Sequence, residues 1–358
     1  MNFRRAKCLL LAAVFSILFI DQTVLCKPSS SGKPSSSGKS SSSGRSSGNA
    51  ERAENVSRNE KRQNTLKRLA KLKINYISPA SGVDANFRKE YLKDIRKFGV
   101  SIPNDALINK NICRFSDTDS NRLTRLKRSI NSDSKIIWAM RGGFGSYKLI
   151  DSLKNLSHPK KIFIGFSDIT ALNLFISQNW KDWTVIHAPM IVHLAKKDYH
   201  HPSWNMLLDI LENKISQYKI TGLSPLNDAG KKAAVGKICG KLTGGNLTLI
   251  ESGLKTSWEI DTDNKILFIE DCHESAPSVY RSMYHLKESG KLSKVKAIVF
   301  GHFVGVPEYK KYLKHFANES DIPIFITDQF GHGKNNLPLV YNADACINGS
   351  SLTVSLSK

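Results

Sequence analysis

From Leu72 onward, short apolar runs closed by turn residues alternate with longer stretches whose apolar residues recur at helical spacing. That rhythm restricts the fold more than any single residue does. Strand and helix in turn close most readily as a parallel sheet covered on both faces. Ile74–Ser78, Lys135–Met140, Lys161–Gly165 and Thr184–His187 read as buried strands, and Ala85–Phe98, Arg122–Ile130, Ser146–Leu153 and Ile169–Gln178 as the helices around them. A second block repeats the pattern with strands at Lys265–Glu270, Val295–Phe300, Ile322–Thr327, Ala343–Ile347 and Leu352–Leu356, and helices at Tyr280–Lys287 and Lys310–Ala317. Residues 191–234 between the blocks are polar, partly helical, and read as a connection. The expected class is therefore α/β, with a doubly wound, mostly parallel sheet domain over residues 71–190. A smaller α/β or β-rich domain over residues 235–358 follows, and the cleft between the two is the expected site.

The first 70 residues obey different rules. Arg4, Arg5 and Lys7 precede an apolar run from Cys8 to Ile20, and a polar stretch ends at Val24-Leu25-Cys26. A basic start, a short apolar core and small residues near a cleavage point make a secretory signal peptide over residues 1–26. The run is shorter than the ~20 residues a spanning helix needs, so no stable membrane anchor is expected and the chain reads as secreted or extracytoplasmic. Residues 27–70 begin as repeated Ser, Gly and Lys with Pro, a composition with nothing to bury that is expected to be a flexible linker, and continue as a basic arm that reads as a solvated lead-in, an exposed helix or an interaction arm. Charge follows the same division. Of the formal +22, residues 1–75 carry +11, from 15 Lys/Arg against 4 Asp/Glu, and the rest is spread thinly over the body of the chain. The basic arm lacks interleaved aromatics, so a nucleic-acid partner is not expected.

Cys113, Cys239, Cys272 and Cys346 remain once Cys8 and Cys26 leave with the signal. Four cysteines allow three pairings, among which the sequence does not choose, and none forms the C-x-x-C of a zinc ribbon or redox site. Asn55, Asn155, Asn246, Asn318 and Asn348 each head an N-x-S/T sequon, which matters only if the host glycosylates.

Three loops carry candidate chemistry. Gly165-Phe166-Ser167-Asp168-Ile169-Thr170 lies where an apolar strand turns into a helix, so Ser167 could project its hydroxyl from a tight turn, as a nucleophile elbow does. Equally, Ser167 or Asp168 could simply cap the helix. Arg141-Gly142-Gly143-Phe144-Gly145-Ser146 again ends a strand, and its adjacent glycines let backbone amides approach a developing oxyanion. It lacks the third glycine of a dinucleotide fingerprint and any GK[ST] ending, and Gly236–Asn246 likewise lacks P-loop spacing, so a nucleotide enzyme is disfavoured. Phe330-Gly331-His332-Gly333 presents a histidine between glycines after an apolar strand, a position equally open to a merely solvated side chain. Glu270 closes the run Ile266–Ile269 where a buried strand meets its C-terminal loop, with Asp271 and Glu274 as competitors for the role of acid.

Taken in order and spacing, these loops resemble the LD-carboxypeptidases, a serine peptidase family that also contains microcin C immunity peptidases. The resemblance rests on Ile77–Gly82, Met140–Gly145, Gly165–Thr170, His187–Met190, Gly240–Leu247, Leu267–Asp271 and Phe330–Gly333, and covers Leu72 to Lys358. It implies a triad divided between the domains: Ser167 as nucleophile, His332 as base and Glu270 as the acid that orients it. It also implies an oxyanion hole at Gly142, Gly143 and Asp168, substrate contacts at Arg141, Gly245 and Asn246, and no metal or other cofactor. The implied reaction is removal of the terminal D-Ala from a murein tetrapeptide. A signal and a Ser/Gly linker are departures from the usual cytoplasmic members.

Other readings compete. One is an immunity-type peptidase or amidase acting on peptidyl- or aminoacyl-nucleotide conjugates, and another a non-catalytic binder of peptidoglycan fragments. His187, His193, His200, His201 and His273 invite a metallohydrolase, but no tight ligand spacing supports it. The sequence leaves open whether the chain pairs as a homodimer and which diamino acid stands at position 3 of the substrate.

Overall fold

A computed structural model describes residues 44–195 and 199–356, so the expected signal and most of the Ser/Gly linker lie outside the described residues. Every described strand lies within one compact unit, Glu51–Lys358.

Four strands, β1 (Ile74–Ile77), β2 (Ile136–Ala139), β3 (Ile162–Ile164) and β4 (Thr184–His187), lie side by side in parallel register. β2 is buried at all four positions, the pattern of a strand covered on both faces. The second sheet takes β5 (Gln217–Thr221), β6 (Ser224–Pro225), β7 (Lys237–Asn246), β8 (Lys265–Cys272), β9 (Ala297–Val304) and β10 (Ile324–Gly331). Of the remaining strands, β11 (Leu339–Val340) returns to the first sheet and pairs antiparallel with β4. β12 (Asp344–Asn348) and β13 (Ser351–Ser355) complete the second sheet, ordered β5-β13-β12-β7-β8-β9-β10-β6.

The α/β class with two sheets is the one expected, but several details differ. The first sheet runs β1-β2-β3-β4-β11, consecutively, without the reversal of a doubly wound order. The C-terminal sheet is the larger, with eight strands against five. The expected boundaries are crossed twice: β5 and β6, from the supposed connection, join the second sheet, while β11 joins the first. The basic arm also needs correction. A helix spans Gly44–Leu69, and its last turns bury Thr65, Leu66 and Leu69. Arg68 there bonds Asp209 at 2.6 Å and Glu212 at 2.9 Å, and Arg62 bonds Asp94 at 2.6 Å. The end of the arm is thus a docked helix, not a solvated lead-in.

The helix Thr170–Asn179 fixes the two sheets against each other. Its residues from Thr170 to Ser177 are all buried, as expected of a helix apolar around most of its circumference and packed on both sides. Thr170 Oγ1 accepts the Asn246 amide from the end of β7 at 3.1 Å, and the Ser177 carbonyl accepts from Asn342 Nδ2 at 2.7 Å. Cys239 on β7 and Cys346 on β12 face each other in register and form a disulfide, whereas Cys113 and Cys272 are unpaired.

Candidate active site

β3 ends at Ile164, and the chain then makes a single tight turn before the buried helix Thr170–Asn179. Ser167 occupies that turn with φ of 64°, a left-handed conformation uncommon outside glycine. A non-glycine residue held there stores of order 1–3 kcal/mol, and such strain clusters where a side chain must be presented. Space around it is just as restricted. A Cβ on Gly142 would stand 2.9 Å from Ser167 Cβ and 3.3 Å from the Asp168 amide nitrogen, so only glycine lets the two loops approach this closely. Among the described residues the Gly143 amide has no acceptor, and the Ser167 hydroxyl makes no hydrogen bond.

Asp168 does more than lend an amide. Its buried carboxylate accepts the Gly145 and Ser146 amides, each at 2.9 Å, while Ser146 Oγ donates to the Asp168 carbonyl at 2.6 Å. Burial raises its pKa, and those donors oppose the rise. Arg122, fully buried, donates to the carbonyls of Pro79 and, at 2.9 Å, Gly145. Ser81 Oγ accepts the Phe144 amide at 3.1 Å. The glycine loop is therefore held from three sides. Sequence reasoning missed Arg122 because its helix gives no sign that one of its arginines turns inward.

The second sheet supplies the acid and base. Glu270 sits near the C-terminal end of β8, fully buried, where the register with β9 slips between Ile269 and Asp271. Such a bulge re-aims a side chain. His332 follows the last residue of β10, and its Nδ1 is hydrogen-bonded to Glu270 Oε2. Gly331 makes the approach feasible: with φ of 107°, it lies where a Cβ would come within 2.9 Å of Glu270 Cβ. Burial alone would lower the His332 pKa, but the Glu270 carboxylate, with the Cys272 sulfur beside the ring, lifts it to about 10. Burial would likewise raise Glu270, and the facing imidazolium overrides it and holds the acid low.

The competitors for the acid have other uses. Asp271 accepts from Asn246 Nδ2 at 2.7 Å, from the Thr248 amide and hydroxyl at 2.9 Å each, and from the Cys272 amide at 2.8 Å. Burial, then the Glu270 charge, raises its pKa to about 6. Glu274 lies in the turn beyond the strand.

Phe166, the residue before Ser167, meets this pair from the other sheet. The Phe166 ring centre is 4.9 Å from that of His332, and 5.3 Å from that of His187, which is fully buried at the end of β4. Gly245 and Asn246 lie at the junction of the sheets, against Thr170, with Asn246 only 4% exposed and capping the next helix through the Leu249 amide at 3.2 Å. A burial so complete leaves its sequon no room for a glycan. Arg141 is half-buried, one guanidinium nitrogen on the Gly82 carbonyl at 3.2 Å. A cavity of about 260 Å³ opens beside His332, on the side of Phe166.

Comparison with known proteins agrees with the two-sheet α/β fold. Residues 74–188 match the model of the LD-carboxypeptidase N-terminal domain and residues 239–347 that of the C-terminal domain. A Rickettsia conorii protein that bears a carboxypeptidase name is 39% identical over 78% of this chain and 89% of its own length. The probable murein peptide carboxypeptidase of Bacillus subtilis is 30% identical over 78% of this chain and 90% of its own. Among solved structures, the muramoyltetrapeptide carboxypeptidase of Oxalobacter formigenes superposes with a TM-score of 0.65 at 24% identity, covering 79% of this chain and 98% of that one. The microcin C7 self-immunity protein MccF, in its wild-type apo state, gives 0.67 at 18% identity, covering 79% and 96%. At these identities the superpositions speak for the fold.

Proposed function

Because this chain belongs to the LD-carboxypeptidase family of serine peptidases, whose two domains it carries in order, we propose that it removes the terminal D-alanine of murein tetrapeptides with a Ser167–His332–Glu270 triad. The observation that supports the reading is the Glu270–His332 pair, whose imidazole lies 4.9 Å from the ring of Phe166, the residue before the strained Ser167. A serine hydroxyl is a weak nucleophile until a base takes its proton during attack. With Nδ1 on Glu270, the His332 ring has Nε2 left for that task. Ser167 Oγ adds to the carbonyl carbon of the position-3 residue as its proton passes to Nε2. The oxyanion is met by the amides of Gly143 and Asp168, with Gly142 keeping the space open. The C–N bond then breaks, the Nε2 proton goes to the departing D-alanine amine, and water repeats the sequence on the acyl-enzyme to release a tripeptide and free Ser167.

Arg141, with guanidinium N–H groups beyond the one on Gly82, is the substrate contact proposed at the cleft. Asn246 supports the site by donating to Thr170 and Asp271, and Gly245 lets the strand lie close against Thr170. The murein reading is preferred to the nucleotide-conjugate one because relatives at 30% identity or more carry carboxypeptidase names, whereas the likeness to the immunity protein bears on fold alone. An extracytoplasmic site of action is also proposed. The Cys239–Cys346 disulfide supports it, since such bonds persist in oxidising compartments. Sequencing the mature amino terminus tests that part, and a start near Lys27 is expected.

The deciding assay is D-alanine release from a defined tetrapeptide. Ser167→Ala is expected to lower kcat by at least about 10⁴-fold with substrate still bound. Unchanged turnover would rule out the serine mechanism.

A further inference from the structure

A carboxypeptidase has one demand that other serine peptidases lack: it must read the free carboxylate of the residue it releases. A site for that carboxylate presupposes the peptidase activity proposed for Ser167. Since His332 returns its proton to the departing amine, the departing residue has to lie on the His332 side of Ser167. The 260 Å³ cavity is lined by His332 itself and by Phe166, the neighbour of Ser167, and is bounded further by His200, Ser203, His302 and Lys334. It is below the range that takes drug-sized ligands and suits one small residue.

Its chemistry is one-sided. Among the described residues no Asp or Glu lines it, while an ammonium and several imidazoles do. Lys334 makes no ion pair among the described residues, and its charge reaches the His200 ring. That ring is held in place by Ser203 Oγ at 2.7 Å, and the same oxygen accepts the Asn336 amide at 3.0 Å. Burial, then Lys334 and His201, depresses the His200 pKa, which is how a histidine behaves beside a cation with no anion between them. His302 is already committed to Asp328 at 3.2 Å and so forms wall, not binding group.

We infer that this cavity seats the released residue, with the Lys334 ammonium taking its free α-carboxylate and His200 completing the anion site. Lys334 stands two residues after the base, on the loop that positions it, so the residue reading the carboxylate and the residue protonating the amine are fixed relative to each other. That geometry would confine cleavage to the last bond of the chain. A longer carboxy-terminal extension would place an uncharged amide against Lys334.

The test compares two tetrapeptides, one ending in D-alanine and one in D-alaninamide, with wild type, Lys334→Met and Lys334→Arg. Wild type should favour the acid. Lys334→Met should lower kcat/KM for the acid by about 30-fold, the equivalent of ~2 kcal/mol for one charge-assisted hydrogen bond, and at least ten times further than for the amide. Lys334→Arg should recover most of the preference. Calorimetry on Ser167→Ala should show D-alanine binding that Lys334→Met abolishes. An acid-to-amide ratio untouched by Lys334→Met, with release still dependent on Ser167, overturns the carboxylate site alone. No release of D-alanine by folded wild type overturns the peptidase reading, and this one with it.

Discussion

The two halves of the site are prepared in opposite ways. On the first sheet, Ser167 is presented by backbone strain, and the loops around it are tied by Asp168, Arg122 and Ser81 to backbone amides and carbonyls. On the second, Glu270 and His332 are set by burial and by mutual charge, at a slip in the strand register. One half therefore depends on conformation and the other on electrostatics. Mutations in the first should act on geometry at every pH, and mutations in the second should act through protonation.

The largest effect that would sharpen this contrast comes from Glu270→Gln. Loss of the carboxylate should lower kcat by about 10³- to 10⁴-fold, because the imidazole loses both its tautomer and its counter-charge. It should also move the pH profile. In the proposed mechanism His332 must be neutral, and its pKa is raised, so wild-type activity should climb with pH on a limb above the ordinary histidine value of 6.5. Removing Glu270 removes the cause of the rise, and the limb should shift towards acid. A limb that stays in place in a kcat/KM profile would remove the electrostatic half of the comparison.

Asp168→Asn probes the other half. An amide can accept for only one of the two backbone donors, Gly145 and Ser146, and leaves the other unpaired at a cost of about 1–3 kcal/mol. The expected result is a fall in kcat of roughly 10- to 100-fold with the pH limb unmoved, since preorganised donors rather than protonation are lost. A displaced limb would mean that the halves are not independent. The smallest catalytic effect is expected from Cys239→Ser with Cys346→Ser. The pair closes a loop of sequence separation 107 on strands away from the triad, so denaturation should show a loss of about 2–4 kcal/mol while kcat stays within error.

Most of the alternating core could be read from the sequence, because fully buried strands such as Ile136–Ala139 leave unbroken apolar runs. What escaped has a common cause. β5 buries only Tyr218 and Ile220, and the outer half of β7 is partly exposed along its length, so neither leaves a run to find. β11 has two residues and owes its existence to β4, more than 150 residues earlier. The Gly44–Leu69 helix is docked by Arg62 and Arg68 to acids at 94, 209 and 212, contacts that no local pattern announces. At the site, glycines flagged the three loops because close backbone approach needs them. Arg122, Ser81 and Ser203 left no such mark, since their work is hydrogen bonding to backbone distant in sequence.

The segment bearing His332 is anchored at both ends in different sheets. β10 precedes it in the second, and β11 follows in the first, with Leu339 opposite His187 and the Tyr341 amide on the Val185 carbonyl at 2.9 Å. A hinge that swung the halves apart would have to unzip that short seam and carry the imidazole off with it. The seam thus holds the two sheets like a vice with its jaws already set, and the spacing around His332 is fixed when the chain folds.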